Sequence, residues 1–318
     1  MDLTIHNALH DKTLEKVNLG IKDGKIEVVS TEEINPGSQS IDALGAMVSP
    51  ALVEPHFHLE NSVMPEYPNQ SGSLDEAIKI AEEIKDQLTS EDIMRRATIS
   101  LKEAMINGTL WLRDHTDVDQ IAKLDLIEAV FAVREKFKDV INLEIVAFPQ
   151  LGLADNPESV DLVRQAMEAG ADHVGGVPHR EKDMDKAAKH IEIAFEIAKA
   201  NDAGVDMHVD ETDDPYWHTL ELLTEKTIEE GYQGRVTAGH CTAMSAWDEK
   251  LFQRILPKLV EAEINICTNT PVNLMIQGRG DQHPKRRGVA RVKDLLEAGV
   301  NVTCGQDDLQ NMFYPFGN

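Results

Sequence analysis

Val53-Glu54-Pro55-His56-Phe57-His58 follows an apolar run, Ala46-Met47-Val48-Ser49-Pro50-Ala51-Leu52. A β-strand sends alternate side chains to the same side. His56 and His58 therefore point together, at the place where a buried strand ends. Two neutral imidazoles converging from one strand end make half of a divalent metal site.

The chain outward from this stretch repeats one pattern. Short apolar runs at 46–53, 109–114, 142–148, 172–177, 204–209, 234–239, 263–268 and 300–305 read as strands. Helical periodicity separates them at 119–137, 157–169, 185–201, 217–231, 246–262 and 288–298. Two further helices are expected near 73–88 and 91–107, and Gly170, Gly204 and Gly299 sit where helices should stop. Eight strands with intervening helices predict the α/β class and a (β/α)8 TIM-like barrel over residues 46–318. An open doubly wound sheet would need a glycine-rich phosphate loop after its first strand, and Glu54-Pro55-His56-Phe57-His58 is nothing like one. Residues 1–45 read as a small β unit, with Asp23-Gly24 as a hairpin turn between Val17–Ile21 and Lys25–Val29. No eighth helix follows the eighth strand before Asn318.

Composition narrows the class of partner. The formal net charge of −25 over 318 residues repels nucleic acid and anionic membranes and tolerates a small neutral molecule. No apolar stretch is long enough to span a bilayer, and the start is no signal peptide. Cys241, Cys267 and Cys304 are isolated and odd in number, which argues against a disulfide framework and for a reducing cytoplasm.

In a barrel the C-terminal strand ends face one shared cavity. The first strand brings His56 and His58 there, the third Gln150, the fifth His208 and Glu211, the sixth His240, and the eighth Asp307 and Asp308. Each residue type suits a hydrolytic metal centre. His56, His58 and His208 supply neutral nitrogen ligands, and Asp307 supplies a hard oxygen that can also take a proton. A divalent ion lowers the pKa of a bound water from about 15.7 towards ~7. Glu211 is placed to collect that proton and deliver it to a substrate. His240 can stabilise developing charge on oxygen, and Gln150 offers the donor and acceptor that an amide-like ring edge needs. His115 reads equally as a structural residue or as one supporting the ligands, and His179 as either a cavity or a structural group. Cys241, Trp217 and Trp247 read as packing residues.

At these residues the chain resembles the amidohydrolase superfamily, and within it the bacterial-type cytosine deaminases. The resemblance runs through Val53–Leu59, Asn69-Gln70-Ser71-Gly72, Val146-Ala147-Phe148-Pro149-Gln150 and His208-Val209-Asp210-Glu211. It continues through Gly234–His240, Gln277-Gly278-Arg279, Pro284-Lys285-Arg286-Arg287-Gly288 and Asp307-Asp308. It implies one divalent ion, iron or zinc, on His56, His58, His208 and Asp307. It implies Glu211, His240 and Asp307 as catalytic residues, and Gln150, Asp308 and Phe313 around the ring. The implied reaction converts cytosine to uracil and ammonia, in an enzyme that assembles as a homo-oligomer.

Three features depart from that family. Phe313 stands where a tryptophan is usual, and Gln306 where a histidine is common. The family also continues past this point with the last helix and the strands that complete the small β domain, so the chain is expected to be incomplete. Phe313 keeps open a related ring as substrate, of isocytosine, creatinine or N-alkyl aminotriazine type. The short C-terminal side keeps open a metal-binding remnant without turnover.

Overall fold

Pro50 decides where the first unit ends. It has no N–H for a ladder, and Ser49–Ala51 lie outside any strand. The expected strand over 46–53 is therefore two elements with different partners. In the computed structural model, which describes residues 1–317, one compact unit spans Met1–Ala51 and a second begins at Leu52.

The first unit is a five-stranded sheet of β1 (Leu3–His10), β2 (Lys16–Lys22), β3 (Lys25–Ser30), β4 (Gln39–Asp42) and β5 (Met47–Val48). β1 lies in the middle, antiparallel to β2 and parallel to β4 and β5. Asp23 and Gly24 both take positive φ, 51° and 72°. That is the two-residue turn matching the twist of the flanking strands.

The second unit holds eight parallel strands, β6 (Leu52–Phe57), β7 (Thr109–Asp117), β8 (Asn142–Phe148), β9 (His173–Val174), β10 (Gly204–Val209), β11 (Val236–His240), β12 (Asn265–Thr268) and β13 (Asn301–Cys304). Their order in the sheet is their order in the chain. The ring is nearly closed, its seam joined by a parallel bridge between Phe57 and Asp307. This is the expected α/β barrel with its small N-terminal sheet.

Between the strands run α1 (Leu74–Ile84), α2 (Ser90–Ile106), α3 (Asp125–Phe137), α4 (Pro157–Glu168), α5 (Met184–Ala200), α6 (Thr219–Glu230), α7 (Glu249–Glu261), α8 (Thr270–Ile276) and α9 (Val292–Glu297). Ser73, Thr89, Asp183 and Asp248 cap four of these with side-chain bonds to the first turn. α3 starts later than its periodicity predicts. The Asp119 carboxylate accepts the N–H groups of Ile121 and Ala122 and folds that stretch into a turn instead. α8 has no counterpart in the sequence reading. Gly204 is not a helix stop but the first residue of β10, where a Cβ would lie 2.6 Å from His173 Nδ1 and 3.0 Å from the Arg235 carbonyl. Among the described residues no helix is long and apolar enough to cross a membrane.

One continuous apolar core fills the space between strands and helices, from Ile93 and Leu126 through Ile191 and Phe195 to Phe252 and Leu295. Inside the ring the filling is charged. Arg113 reaches Glu144 at 2.7 Å and Asp206 at 2.7 Å, and His173 meets the same Glu144 at 3.2 Å. This paired layer closes the barrel beneath the strand ends that carry the site.

Candidate metal and catalytic site

The four expected ligands converge. His56 Nε2 lies 3.3 Å from His208 Nε2, and His58 Nε2 lies 3.1 Å from it. Asp307 Oδ1 is 3.2 Å from His56 Nε2 and 3.5 Å from His58 Nε2. Ligands at ~2.1 Å from a tetrahedral ion would be separated by about 3.4 Å. The residues therefore fit a divalent cation in both spacing and chemistry, three imidazole nitrogens with one carboxylate oxygen. Burial holds His56 and His208 well below the usual imidazole range, so both are neutral and keep a lone pair to offer. For His58 burial works the same way, but Glu60, Asp307 and Asp308 outweigh it.

The backbone builds this cluster from the two ends of the ring. Asp307 N donates to the His56 carbonyl at 2.9 Å, and His58 N donates to the Asp307 carbonyl at 3.1 Å. Asp307 takes φ 71° to do so, and His240 takes φ 65° at the end of β11. Left-handed conformations at non-glycine residues are costly and concentrate at functional sites. Gly239 admits the His56 ring, since a Cβ there would sit 2.9 Å from its Cε1.

Behind the ligands, His115 stacks on His56 at 3.9 Å and reaches Asp206 at 3.1 Å. Asp206 is two residues before His208 on β10, so a single strand presents a ligand and the carboxylate that steadies a neighbouring ring. Phe148 stacks on His208 at 4.2 Å. Asp114, fully buried, accepts the Leu59 N–H at 2.6 Å and the Thr116 hydroxyl. Burial and then the Glu60 charge push its carboxyl up to about 8.

Glu211 and His240 form the next layer. Glu211 Oε1 is 3.1 Å from His240 Nδ1, and Asp307 Oδ2 is 3.9 Å from that same nitrogen. Both side chains face a cavity of about 450 Å³. Gln150, Asp308 and Phe313 lie on its wall, as do His179 and Trp217. Trp217 was expected in helix packing and instead lines the cavity. Burial and then Asp307 push Asp308 up to about 8, which leaves it largely protonated near neutral pH. On the far wall Lys85 sits between Asp117 at 2.6 Å and Asp119 at 2.8 Å.

Sequence reasoning missed Asn269 and Asn273. Asn269 caps the unexpected α8 and Asn273 lies within it, and both amides contact the His240 ring. Their signal is Asn269-Thr270-Pro271-Val272-Asn273, in which a proline in the first helical turn follows an asparagine. It also missed Lys85 with its partners Asp117 and Asp119, because positions in two separate expected helices and the connection between strand and helix gave no reason to pair them.

Comparison with known proteins bears on this geometry. The chain is 35% identical to 5-methylcytosine deaminase from Klebsiella pneumoniae, crystallised with 5-fluorocytosine. The two superpose with a TM-score of 0.94 over 99% of this chain and 77% of that one. It is 29% identical to N-isopropylammelide isopropyl amidohydrolase of Pseudomonas sp. (strain ADP), over 100% of this chain and 77% of the relative. It is also 29% identical to pterin deaminase of Rhizobium rhizogenes, over 96% of this chain and 70% of the relative. The profile of the Amidohydrolase family matches residues 123–318. That match takes in His208, Glu211, His240 and Asp307, and with the barrel and the His56–His58 pair on the opposite side of its seam, the chain belongs to the amidohydrolase family of metal-dependent enzymes.

Proposed function

We propose that this chain deaminates a small aminated heterocycle by hydrolysis, with cytosine or a 5-substituted cytosine as the leading substrate and the uracil and ammonia as products. The observation that carries the reading is the adjacency of two groups. A four-donor cluster of three imidazoles and a carboxylate shares one cavity with Glu211, His240, Gln150 and Asp308. A divalent ion, iron or zinc, held by His56, His58, His208 and Asp307 would supply Lewis acidity and bring the pKa of water there to about 7.

The chain's own residues do the rest. Phe148 and Phe313 give the cavity apolar walls against which a flat ring can lie. Gln150 pairs with the amide-like edge of the ring and so fixes which carbon faces the cluster. Glu211 takes a proton from the attacking water and hands it to the ring nitrogen next to the amine-bearing carbon. His240 donates a hydrogen bond to the new oxygen and stabilises its charge. Asp307 takes the second proton, which goes on to the amine, and ammonia leaves as the C–N bond breaks. One water is consumed for each ammonia released.

Phe313 supports a second reading. A phenylalanine in place of the indole leaves more room on that wall, within a cavity of about 450 Å³. That favours a larger or substituted ring, and the relatives named for N-isopropylammelide and pterin show that this family treats such rings. Ammonia and amine release, assayed with protein of measured metal content, separates the readings. The panel is cytosine, 5-methylcytosine, isocytosine, creatinine, an N-alkyl aminotriazine and a pterin. Turnover of either cytosine supports the first reading. Failure on both, with turnover of another ring, replaces it with the second.

A further inference from the structure

Behind the cavity wall, in the segment that follows β13, one buried side-chain amide has no spare capacity. It belongs to Asn311. Its Oδ1 accepts the N–H groups of Phe313 at 2.9 Å and Tyr314 at 3.0 Å. Its Nδ2 donates to the Asn61 carbonyl at 3.0 Å and to Asp308 Oδ1 at 2.5 Å. An amide offers two acceptor positions and two donor hydrogens, and all four are used. The same pattern fixes its orientation, because the oxygen faces only donors and the nitrogen only acceptors.

The Asn61 anchor is itself held. Arg96, fully buried on α2, donates through Nη1 to the carbonyls on either side of it, Glu60 at 2.6 Å and Ser62 at 2.8 Å. The Val63 N–H meets the Leu309 carbonyl and the Met64 N–H the Gln310 carbonyl, each at 2.8 Å. The segments that follow the first and last barrel strands thus form one frame, and Asn311 stands in it. Two of the groups it holds, Asp308 and Phe313, line the cavity. Among the described residues no protein group donates to Asp308 Oδ2. With Oδ1 turned back to Asn311, that second oxygen is left for a bound molecule.

We infer that Asn311 is a positioning residue that fixes the Asp308 carboxyl and the Phe313 side chain relative to each other. It thereby sets the spacing between a polar contact and an apolar wall of the ring site. An aspartate side chain has several staggered rotamers open to it. The Asn311 NH2 selects the one with Oδ1 turned back. The Asn311 oxygen closes the turn that carries Phe313. A change at Asn311 reaches both groups, although its own side chain does not line the cavity.

This inference rests on the reading of the cavity as a ring site only for its kinetic consequence. The Asp308 rotamer can be seen without substrate. The experiment compares wild type, Asn311→Ser and Asn311→Ala as zinc-loaded protein. Serine keeps an acceptor for the turn, since a hydroxyl closes such turns as an amide does, though more weakly. It is too short to reach Asp308 and Asn61. Crystals grown without a ring should show Asp308 in one rotamer in the wild type and in two or more in both variants. Phe313 should stay in place in Asn311→Ser and shift in Asn311→Ala. Zinc content should be unchanged, because Asn311 bonds to none of the four proposed ligands.

With whichever ring the panel identifies, both variants should lower kcat/KM by about 10–100-fold, as a small misplacement of a positioned group does. A residue that only closes the turn would leave Asn311→Ser like the wild type. Asp308 spread over rotamers in the wild type overturns the inference. So does an Asn311→Ser protein with Asp308 ordered as in the wild type, or with wild-type kcat/KM. If Asn311→Ala does not fold, Asn311→Ser decides alone. If Asp308 behaves as stated and no ring in the panel is consumed, the inference stands and the deaminase reading falls.

Discussion

Asp307 binds His56 twice, its backbone N–H on the His56 carbonyl at 2.9 Å and its carboxylate 3.2 Å from the His56 imidazole. One residue thus joins the last strand to the first and completes the donor set. Removing only the carboxylate separates these roles. Asp307→Asn should keep the backbone bonds and the fold while metal affinity falls by more than about 100-fold, the upper figure for losing a group that merely orients a ligand. His208→Ala should show the same loss. Metal analysis after dialysis, with circular dichroism alongside, checks both. Wild-type metal content in either variant would remove that residue from the ligand set.

Glu211 reaches His240 but lies outside the four-donor cluster. Glu211→Gln keeps the shape and loses the ability to carry a proton. Metal content should be unchanged while kcat falls at least about a hundredfold. Steady-state kinetics on metal-analysed protein decides this, and an active glutamine variant would free Glu211 from the proton-transfer role.

Gly239 tests the packing around the ligands. A methyl group there would press on His56 at 2.9 Å, and the stacked His115 behind that ring leaves it little room to retreat. Gly239→Ala should cost about 1–3 kcal/mol of stability, as overpacking does, and weaken metal binding measurably. Denaturant unfolding and a metal titration on the same preparation report the two effects. A variant unchanged in both would show that the ring has slack.

Asp114 makes stability depend on pH in a defined direction. Its ordinary value of 3.8 is raised in the folded protein to about 8, first by burial and then by the nearby Glu60 charge. Below about pH 4 the group is neutral folded and unfolded, so it adds no penalty. Between there and about 8 the unfolded chain sheds the proton that the folded chain keeps. Stability should therefore fall as pH rises through this window, by at most about 1.4 kcal/mol per pH unit. Asp114→Asn can still accept from Leu59, and its unfolding free energy should vary less between pH 5 and 8. Urea melts at both pH values test this, and an unaltered pH dependence would contradict it.

These features were unequally visible in the chain. His56 and His58, Glu211 three places after His208, and the Asp307-Asp308 pair could be read because strand periodicity and strand ends are local properties. Asn269, Asn273 and Lys85 could not. Each acquires its partner only when elements distant in sequence are brought side by side, as with Lys85 and Asp119 across the end of β7. The strand expected over 46–53 divides into β5 and β6 because an apolar run says that a segment is buried or paired, not with what. Pro50 was the cue that two segments meet there. Gly204 opens β10 and ends no helix, because a glycine needed for close strand approach looks, in sequence, like one that ends a helix.

The positions of the four proposed ligands also order events during synthesis. The imidazoles of residues 56, 58 and 208 leave the ribosome before the carboxylate of residue 307 exists. At ordinary translation speeds the gap between residues 208 and 307 lasts about 5–20 s. Over that interval the proposed donor set holds its three imidazoles without its carboxylate, and imidazole sites bind copper or nickel more avidly than iron. If these residues hold an ion as proposed, their one carboxylate oxygen arrives with the segment that bridges to Phe57 and shuts the ring, so the full donor set and the closed barrel would be completed together.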